Sequence, residues 1–146
     1  MSTRGHMPSP SEIAATCLCF QTQRAARALA RRFDAAFKPL GITNGQFSLI
    51  AMLSASDARR MKEIAPFLAM DRTTLTAVLK TLQRNGLVAI VPDPDDRRGR
   101  LVSLTARGRA TFRKAAPIWR SEHCKLEAER PTLDGAALRA ALRAIA

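Results

Sequence analysis

Between Asp71 and Arg100 the chain concentrates hydroxyls and cations rather than the groups that break bonds. Arg72, Thr73, Thr76, Lys80 and Arg84 recur at spacings that gather on one side of a helix, with Arg72 at the edge of its first turn. Arg97, Arg98 and Arg100 come next in a short charged turn. Cations and hydroxyls in this pattern hydrogen-bond phosphates and the polar edges of bases. The chain offers no phosphate-binding glycine loop, no metal-ligand spacing and no paired acid and base suited to a cleft. The chemistry indicated is recognition of a polyanion, with no catalytic group and no cofactor.

The elements that must carry these residues are legible nearby. Asp71 is placed to cap a helix, and Asn85-Gly86 supplies a left-handed stop, which predicts a helix over 71–85. Leu75, Val78, Leu79 and Leu82 form its apolar stripe, so the small, hydroxylated and basic side, to which Ala77 also belongs, faces outward. A basic amphipathic helix alone is more often a solvated face than a reading head. The hairpin pattern directly after this helix reverses that reading. Leu87 to Val91 predicts a strand, and Leu101, Val102 and Leu104 a second one, with Asp93 to Arg100 as the turn between them. Arg97, Arg98 and Arg100 would then sit at the tip of a two-stranded ribbon narrow enough for a DNA minor groove, with Asp96 pairing with Arg98 to shape it.

The run Asp71-Arg72-Thr73-Thr74-Leu75-Thr76, the wing residues Asp96-Arg97-Arg98, and Leu104-Thr105-Ala106-Arg107-Gly108 together resemble the MarR family of bacterial transcriptional regulators. Upstream, Leu40-Gly41-Ile42-Thr43 is similar to the family's turn before its second helix. The resemblance implies a mainly α fold with a small β-hairpin wing: a winged helix-turn-helix flanked by long N- and C-terminal dimerisation helices. It further implies a homodimer on a pseudo-palindromic operator in double-stranded DNA, contacted by Arg72, Thr73, Thr74, Thr76, Lys80, Arg97, Arg98 and Arg100 and released by a small ligand or an oxidant.

Composition bounds the rest. The chain has 146 residues, 47% of them apolar, which is one domain with enough material for a core. The formal charge is +12, from 24 Lys and Arg against 12 Asp and Glu, and it clusters on the proposed reading elements. No apolar run approaches the ~18 residues of a membrane span and no signal peptide opens the chain, so a cytoplasmic protein is expected. Three cysteines form neither a disulfide framework nor a zinc set.

Read in order, residues 1–8 predict a flexible arm and 9–146 a single domain. Within it, 9–40 and 105–146 supply the dimerisation helices and 43–104 the DNA-binding region. Ser9-Pro10-Ser11-Glu12 starts a helix that runs unbroken to about Lys38, with Arg24, Arg27 and Arg31 along one side. Thr43 and Gln46 cap the next helix, which turns Phe47, Ile50 and Leu53 inward. Met61 to Leu68 is the first helix of the helix-turn-helix, bent or shortened by Pro66, and the turn after it has Ala69 where the resembled family often has glycine. Thr105 caps a long helix through Pro117 to about Glu129, and Pro131-Thr132 opens the last, with Leu138, Leu142 and Ile145 as an apolar stripe. That stripe has no obvious partner within one subunit, and a two-fold dimer would cover it.

Two routes of control are open. Cys19 stands where the organic-hydroperoxide-sensing branch of the resembled family has its reactive cysteine, and Cys124 lies near that branch's second thiol. The chain has no tyrosine to hydrogen-bond the thiolate; Phe33 and Asn44 occupy those places, and a buried, inert cysteine is expected. Cys17 and Cys19 would point apart on a continuous helix and share no metal. The other route is a small aromatic or apolar ligand in a pocket to which Phe20, Phe47 and Met52 contribute, although aromatic and Met residues at helical spacing are core more often than cage. A nucleic-acid-binding protein that uses charge without sequence choice is the remaining alternative.

Overall fold

The computed structural model describes residues 7–146. Most of the arm assigned to residues 1–8 therefore lies outside the described residues; Met7 and Pro8 are exposed.

Instead of one long first helix there are two, α1 (Pro10–Thr16) and α2 (Leu18–Phe37). Ser9 and Glu12 form the expected capping box at the start. At the other end Cys17 adopts φ −71°, ψ 111°, an extended conformation that ends α1 and begins α2. Local groups make this break tolerable. The Thr16 hydroxyl folds back onto the Glu12 carbonyl at 2.7 Å, the Phe20 N–H donates to Cys17 Sγ at 3.4 Å, and Gln21 Nε2 reaches across to the Ala14 carbonyl at 2.6 Å. Because Cys17 is not helical, the wheel argument that separated it from Cys19 no longer applies.

A 3-10 turn (Lys38–Leu40) ends at Gly41, whose φ of 68° turns the chain into α3 (Asn44–Ser54), capped by the Thr43–Gln46 box. Phe33 and Phe37 of α2 meet Phe47, Leu49, Ile50 and Leu53 of α3 in the core, with Phe37 and Phe47 stacked at 4.6 Å. After residues 55–58 comes a strand the sequence pattern did not reveal, β1 (Arg59–Arg60). Two consecutive arginines show no alternation of apolar and polar residues.

Helices α4 (Met61–Phe67) and α5 (Arg72–Arg84) make the helix-turn-helix. With Pro66 in its last turn, α4 is only 7 residues long. Both helices end in the same way. The Gly86 N–H bonds the Gln83 carbonyl and the Leu87 N–H that of Leu82, at 2.9 Å each; the Ala69 N–H bonds the Pro66 carbonyl at 3.1 Å and the Met70 N–H that of Ala65 at 2.9 Å. This paired pattern needs a left-handed residue after the cap. Gly86 provides it at φ 69° and Ala69, against its own preference, at φ 49°. Leu75, Leu79 and Leu82 bury the inner side of α5.

Strands β2 (Val88–Asp93) and β3 (Asp96–Leu104) complete an antiparallel sheet in the order β1-β3-β2, three strands where two were expected. Thr105 caps α6 (Ala106–Glu129) by accepting from the Gly108 N–H at 3.0 Å, and its own hydroxyl donates to the Gly86 carbonyl at 2.6 Å. Gly108 lies against the wing root: a Cβ there would sit 2.1 Å from the Leu87 carbonyl oxygen.

Helix α6 returns along α2. Arg32 joins them, with Nε 3.1 Å from Glu122 and a bidentate pair to Glu129 at 2.6 and 3.0 Å. His123 lies between Phe33 and Trp119, its ring centre 4.7 and 4.5 Å from theirs. The last helix, α7, spans Gly135–Arg143, later than Pro131-Thr132 suggested, because the Asp134 carboxylate, accepting from the Ala137 N–H at 2.9 Å, is the cap. Leu138, Leu142 and Ile145 are 42, 41 and 66% exposed. No helix among the described residues is long and apolar enough to cross a membrane.

Candidate nucleic-acid interface

Helix α5 begins where Asp71 holds two donors of its first turn: Oδ1 accepts the Thr74 N–H at 2.8 Å and Oδ2 accepts the Thr74 hydroxyl at 2.6 Å. These bonds, the hydroxyl's first, hold the Asp71 carboxyl below its ordinary pKa. They also change the role expected of Thr74. Its hydroxyl proton is committed to the cap, so Thr74 orients the reading helix from within. The Thr76 hydroxyl donates to the Arg72 carbonyl at 2.7 Å, which leaves its oxygen free to accept but no proton to give. No hydrogen bond engages the Thr73 hydroxyl among the described residues. Arg72, Thr73, Thr76, Ala77 and Lys80 line a shallow hollow of about 400 Å³ on the outer side of α5. All five are exposed.

The wing differs from the expected tip of arginines. Strand pairing runs from Val88↔Leu104 to Pro92↔Arg100 and then jumps to Asp93↔Asp96. Pro94 and Asp95 therefore make the tip, while Arg97, Arg98 and Gly99 bulge from the flank of β3. Arg97, Arg98 and Arg100 are all exposed. Asp96 does shape the bulge, but not by gripping a guanidinium: its Oδ1 accepts the Arg98 backbone N–H at 3.0 Å, and its Oδ2 lies 3.7 Å from Lys62 Nζ. Gly99 fits where a Cβ would lie 3.0 Å from Asp93 Cβ and 3.1 Å from Asp96 Cβ.

The sequence pattern did not reveal the residue that anchors the wing. Asp93 is 4% exposed, the one buried charged side chain among the described residues. Its Oδ1 accepts the Asp95 N–H at 3.0 Å and its Oδ2 the Arg60 Nε–H at 2.8 Å, while Arg60 Nη2 reaches Asp95 at 3.1 Å. The Asp95 N–H and then Arg60 hold the Asp93 carboxyl below the usual range, and Asp93 in turn raises the Arg60 pKa. The only signal in the sequence was an acid between two prolines, Pro92 and Pro94, at the end of a short apolar run. Between the wing and the helices lies a cleft of about 170 Å³, lined by residues that include Arg60, Lys62, Arg72, Arg98 and Arg100. The start of the reading helix and the arginines of the wing therefore share one surface.

The residues proposed for a ligand pocket do not come together in the single chain. Phe47 and Met52 are each 7% exposed in the core, whereas Phe20 is 43% exposed on α2. A larger apolar groove of about 490 Å³ lies elsewhere, between Ala28 and Leu29 of α2, Leu126 of α6 and Leu138 of α7. The expectation of a buried Cys19 is corrected as well. Cys19 and Cys124 are exposed free thiols and Cys17 is half-buried; Cys19 is exposed because residues 18–29 of α2 extend past the core. No cluster of His, Cys, Asp or Glu suited to a metal ion occurs among the described residues.

A sequence profile described as the MarR family matches residues 42–99, from the approach to α3 through the wing. The transcriptional activatory protein BadR of Rhodopseudomonas palustris is 33% identical over 95 residues, which cover 63% of this chain and 54% of BadR. The organic hydroperoxide resistance transcriptional regulator of Bacillus subtilis is 29% identical over 101 residues, 69% of either chain. Among solved structures, the M. tuberculosis transcriptional regulator MosR in complex with DNA is 40% identical, superimposes with a TM-score of 0.72, and is matched over 88% of this chain and 98% of its own. Profile, relatives and fold agree: this chain belongs to the MarR family of transcriptional regulators.

Proposed function

We propose that the protein is a dimeric repressor that binds a pseudo-palindromic operator in duplex DNA and leaves it when a small aromatic or apolar ligand binds. The observation that carries the reading is the single surface shared by Arg72 of α5 and Arg98 and Arg100 of the wing. Helix α5 with its two caps, residues 71–85, enters the major groove with Arg72, Thr73, Thr76 and Lys80. The wing, residues 93–100, presents Arg97, Arg98 and Arg100 to the adjacent minor groove or its flanking phosphates. The solved complex of MosR with DNA supports this use of the fold. Support for a dimer comes from apolar side chains on α1, α2 and α7: Ile13, Leu18 and Leu142 are 50, 70 and 41% exposed. A two-fold axis would set two reading helices about 34 Å apart, one turn of DNA.

The test is selection of an operator from a random duplex pool, then salt titration. If about six phosphates are neutralised, affinity falls by ~10³ or more between 50 and 200 mM salt. Arg98→Ala should weaken binding and leave the fold intact. Equal affinity for the selected palindrome and for random duplex would replace this reading with charge-driven binding that makes no sequence choice.

One observation favours a second reading of the signal: Cys19 is exposed. An organic hydroperoxide would oxidise its thiolate to the sulfenic acid and leave as the alcohol, after which Cys124 could condense with it to a disulfide and release water. Release of the oxidised wild type but not of Cys19→Ser selects this route. Retention of both on the operator selects the ligand.

A further inference from the structure

A reading helix in a major groove and a ribbon in the adjoining minor groove stand on either side of one sugar–phosphate strand, because that strand is what separates the two grooves. Whatever lines the space between helix and ribbon faces its phosphates. Here the space is the 170 Å³ cleft, with Arg60 and Lys62 at the base of α4, Arg72 on α5, and Arg98 and Arg100 on the wing.

The charges within it are unevenly matched. Asp93 is taken up by Arg60 at 2.8 Å and by a backbone N–H. Asp96 accepts the Arg98 N–H and meets Lys62 only at 3.7 Å. Arg72, Arg98 and Arg100 form no ion pair among the described residues. Three guanidiniums thus converge on one cleft without an acidic partner of their own, beside the loose Lys62–Asp96 pair. Such an arrangement is unfavourable until an anion enters it.

The two walls are also tied together. Arg60 belongs to β1, directly before α4, and Asp93 closes β2 at the wing. Their ion pair, with the second contact from Arg60 to Asp95 at 3.1 Å, sets the distance of the wing from the helices.

Resting on the operator-binding reading above, we propose that this cleft is the seat of one backbone phosphate of the strand between the two grooves. Arg72, Arg98, Arg100 and Lys62 bind it, and Asp93, through Arg60, is the positioning residue that holds the cleft at the width of a phosphate.

Asp93→Asn separates this proposal from simple charge. The substitution removes a negative charge from a surface that meets DNA, so electrostatics alone requires tighter binding. If Asp93 positions the wing, binding weakens instead, by about tenfold, the equivalent of one charge-assisted hydrogen bond.

The experiment measures operator affinity of wild type, Asp93→Asn and Lys62→Ala on duplexes in which single phosphates are replaced by neutral methylphosphonates. Thermal melts of each protein accompany it. In wild type, one position on the strand between the grooves should stand out, and its neutralisation should cost Lys62→Ala much less. The salt slope of Lys62→Ala should be shallower by about 0.9, evenly across operator sequences. Lys62 has a 58% exposed side chain, so this variant decides the matter if Asp93→Asn does not fold.

Equal costs in wild type and Lys62→Ala at every phosphate, or tighter binding by a folded Asp93→Asn, would overturn the proposal while wild-type binding keeps the operator reading intact. A wild type that binds no selected operator would instead remove that reading itself. Tight, saturable binding of inorganic phosphate by the free protein in chloride at physiological ionic strength would assign the cleft to a free anion, and so overturn its assignment to DNA.

Discussion

Ala69 shows how a single residue takes on a conformation its neighbours require. The two bonds that close α4 need a left-handed residue at that point, and Ala69 accepts φ 49° to provide it. An L residue with a Cβ pays roughly 1–2 kcal/mol for that region, part of which glycine returns as unfolded-state freedom. Ala69→Gly should therefore stabilise the protein by about 1 kcal/mol, seen as a higher urea midpoint at unchanged slope. A lower midpoint would mean that the turn is not strained. Gly108 is the opposite case. A Cβ would lie 2.1 Å from the Leu87 carbonyl oxygen, so α6 could not keep its seat on the wing root. Gly108→Ala should cost about 1–3 kcal/mol in the same urea titration, and an unchanged midpoint would show that the helix start can shift freely.

Around the apolar core, several elements are capped or tied by carboxylates, which gives the stability a pH dependence. Asp71 holds the start of α5, Asp93 ties the wing to β1, and Glu122 and Glu129 grip Arg32 between α2 and α6. All four carboxyls are held below their ordinary values: Glu122 first by Lys125, Glu129 first by Arg32. A depressed pKa means that the folded state binds fewer protons than the unfolded one. Its contribution is present above the unfolded-state value and is lost as pH falls through the folded one. Stability should stay level through neutrality and fall below about pH 5, and Glu129→Gln should soften that fall. Urea midpoints measured from neutral to acidic pH check this; a rise on acidification would rule these bonds out as a source of stability.

For the whole molecule the outstanding feature is the apolar surface that one chain leaves uncovered. Leu138 and Leu142 of α7, at 42 and 41% exposure, pack little within the chain, and α7 is joined to α6 by the Arg139–Glu127 pair at 3.4 Å. If a second copy covers them, Leu138→Asp with Leu142→Asp should yield monomers in sedimentation while the helical content stays near that of wild type. Operator affinity should fall with it, because two half-sites then no longer act as one. A variant that still sediments as a dimer would move the interface off α7.

The parts of this protein that its sequence determined are those whose physics is local. Caps at Ser9, Thr43, Asp71 and Thr105, the stop at Gly86, and the apolar stripe of α5 all depend on residues within a turn or two of one another. That range is what periodicity and capping rules describe, and it sufficed to place helix α5 and a hairpin after it, but not the wing's arginines, which lie on the flank of β3 and not at its tip. The break at Cys17 is also local, but a thiol is a weak cap and gave no signal. What the tertiary structure decided joins distant residues. Arg60 meets Asp93 across 33 positions and Arg32 meets Glu129 across 97. The β1 strand exists only because β3 pairs with it, and Phe47 and Met52 became core because α2, α6 and the sheet close over α3. No spacing in the chain encodes these meetings, since each depends on where the helices turn and on which surfaces then exclude water.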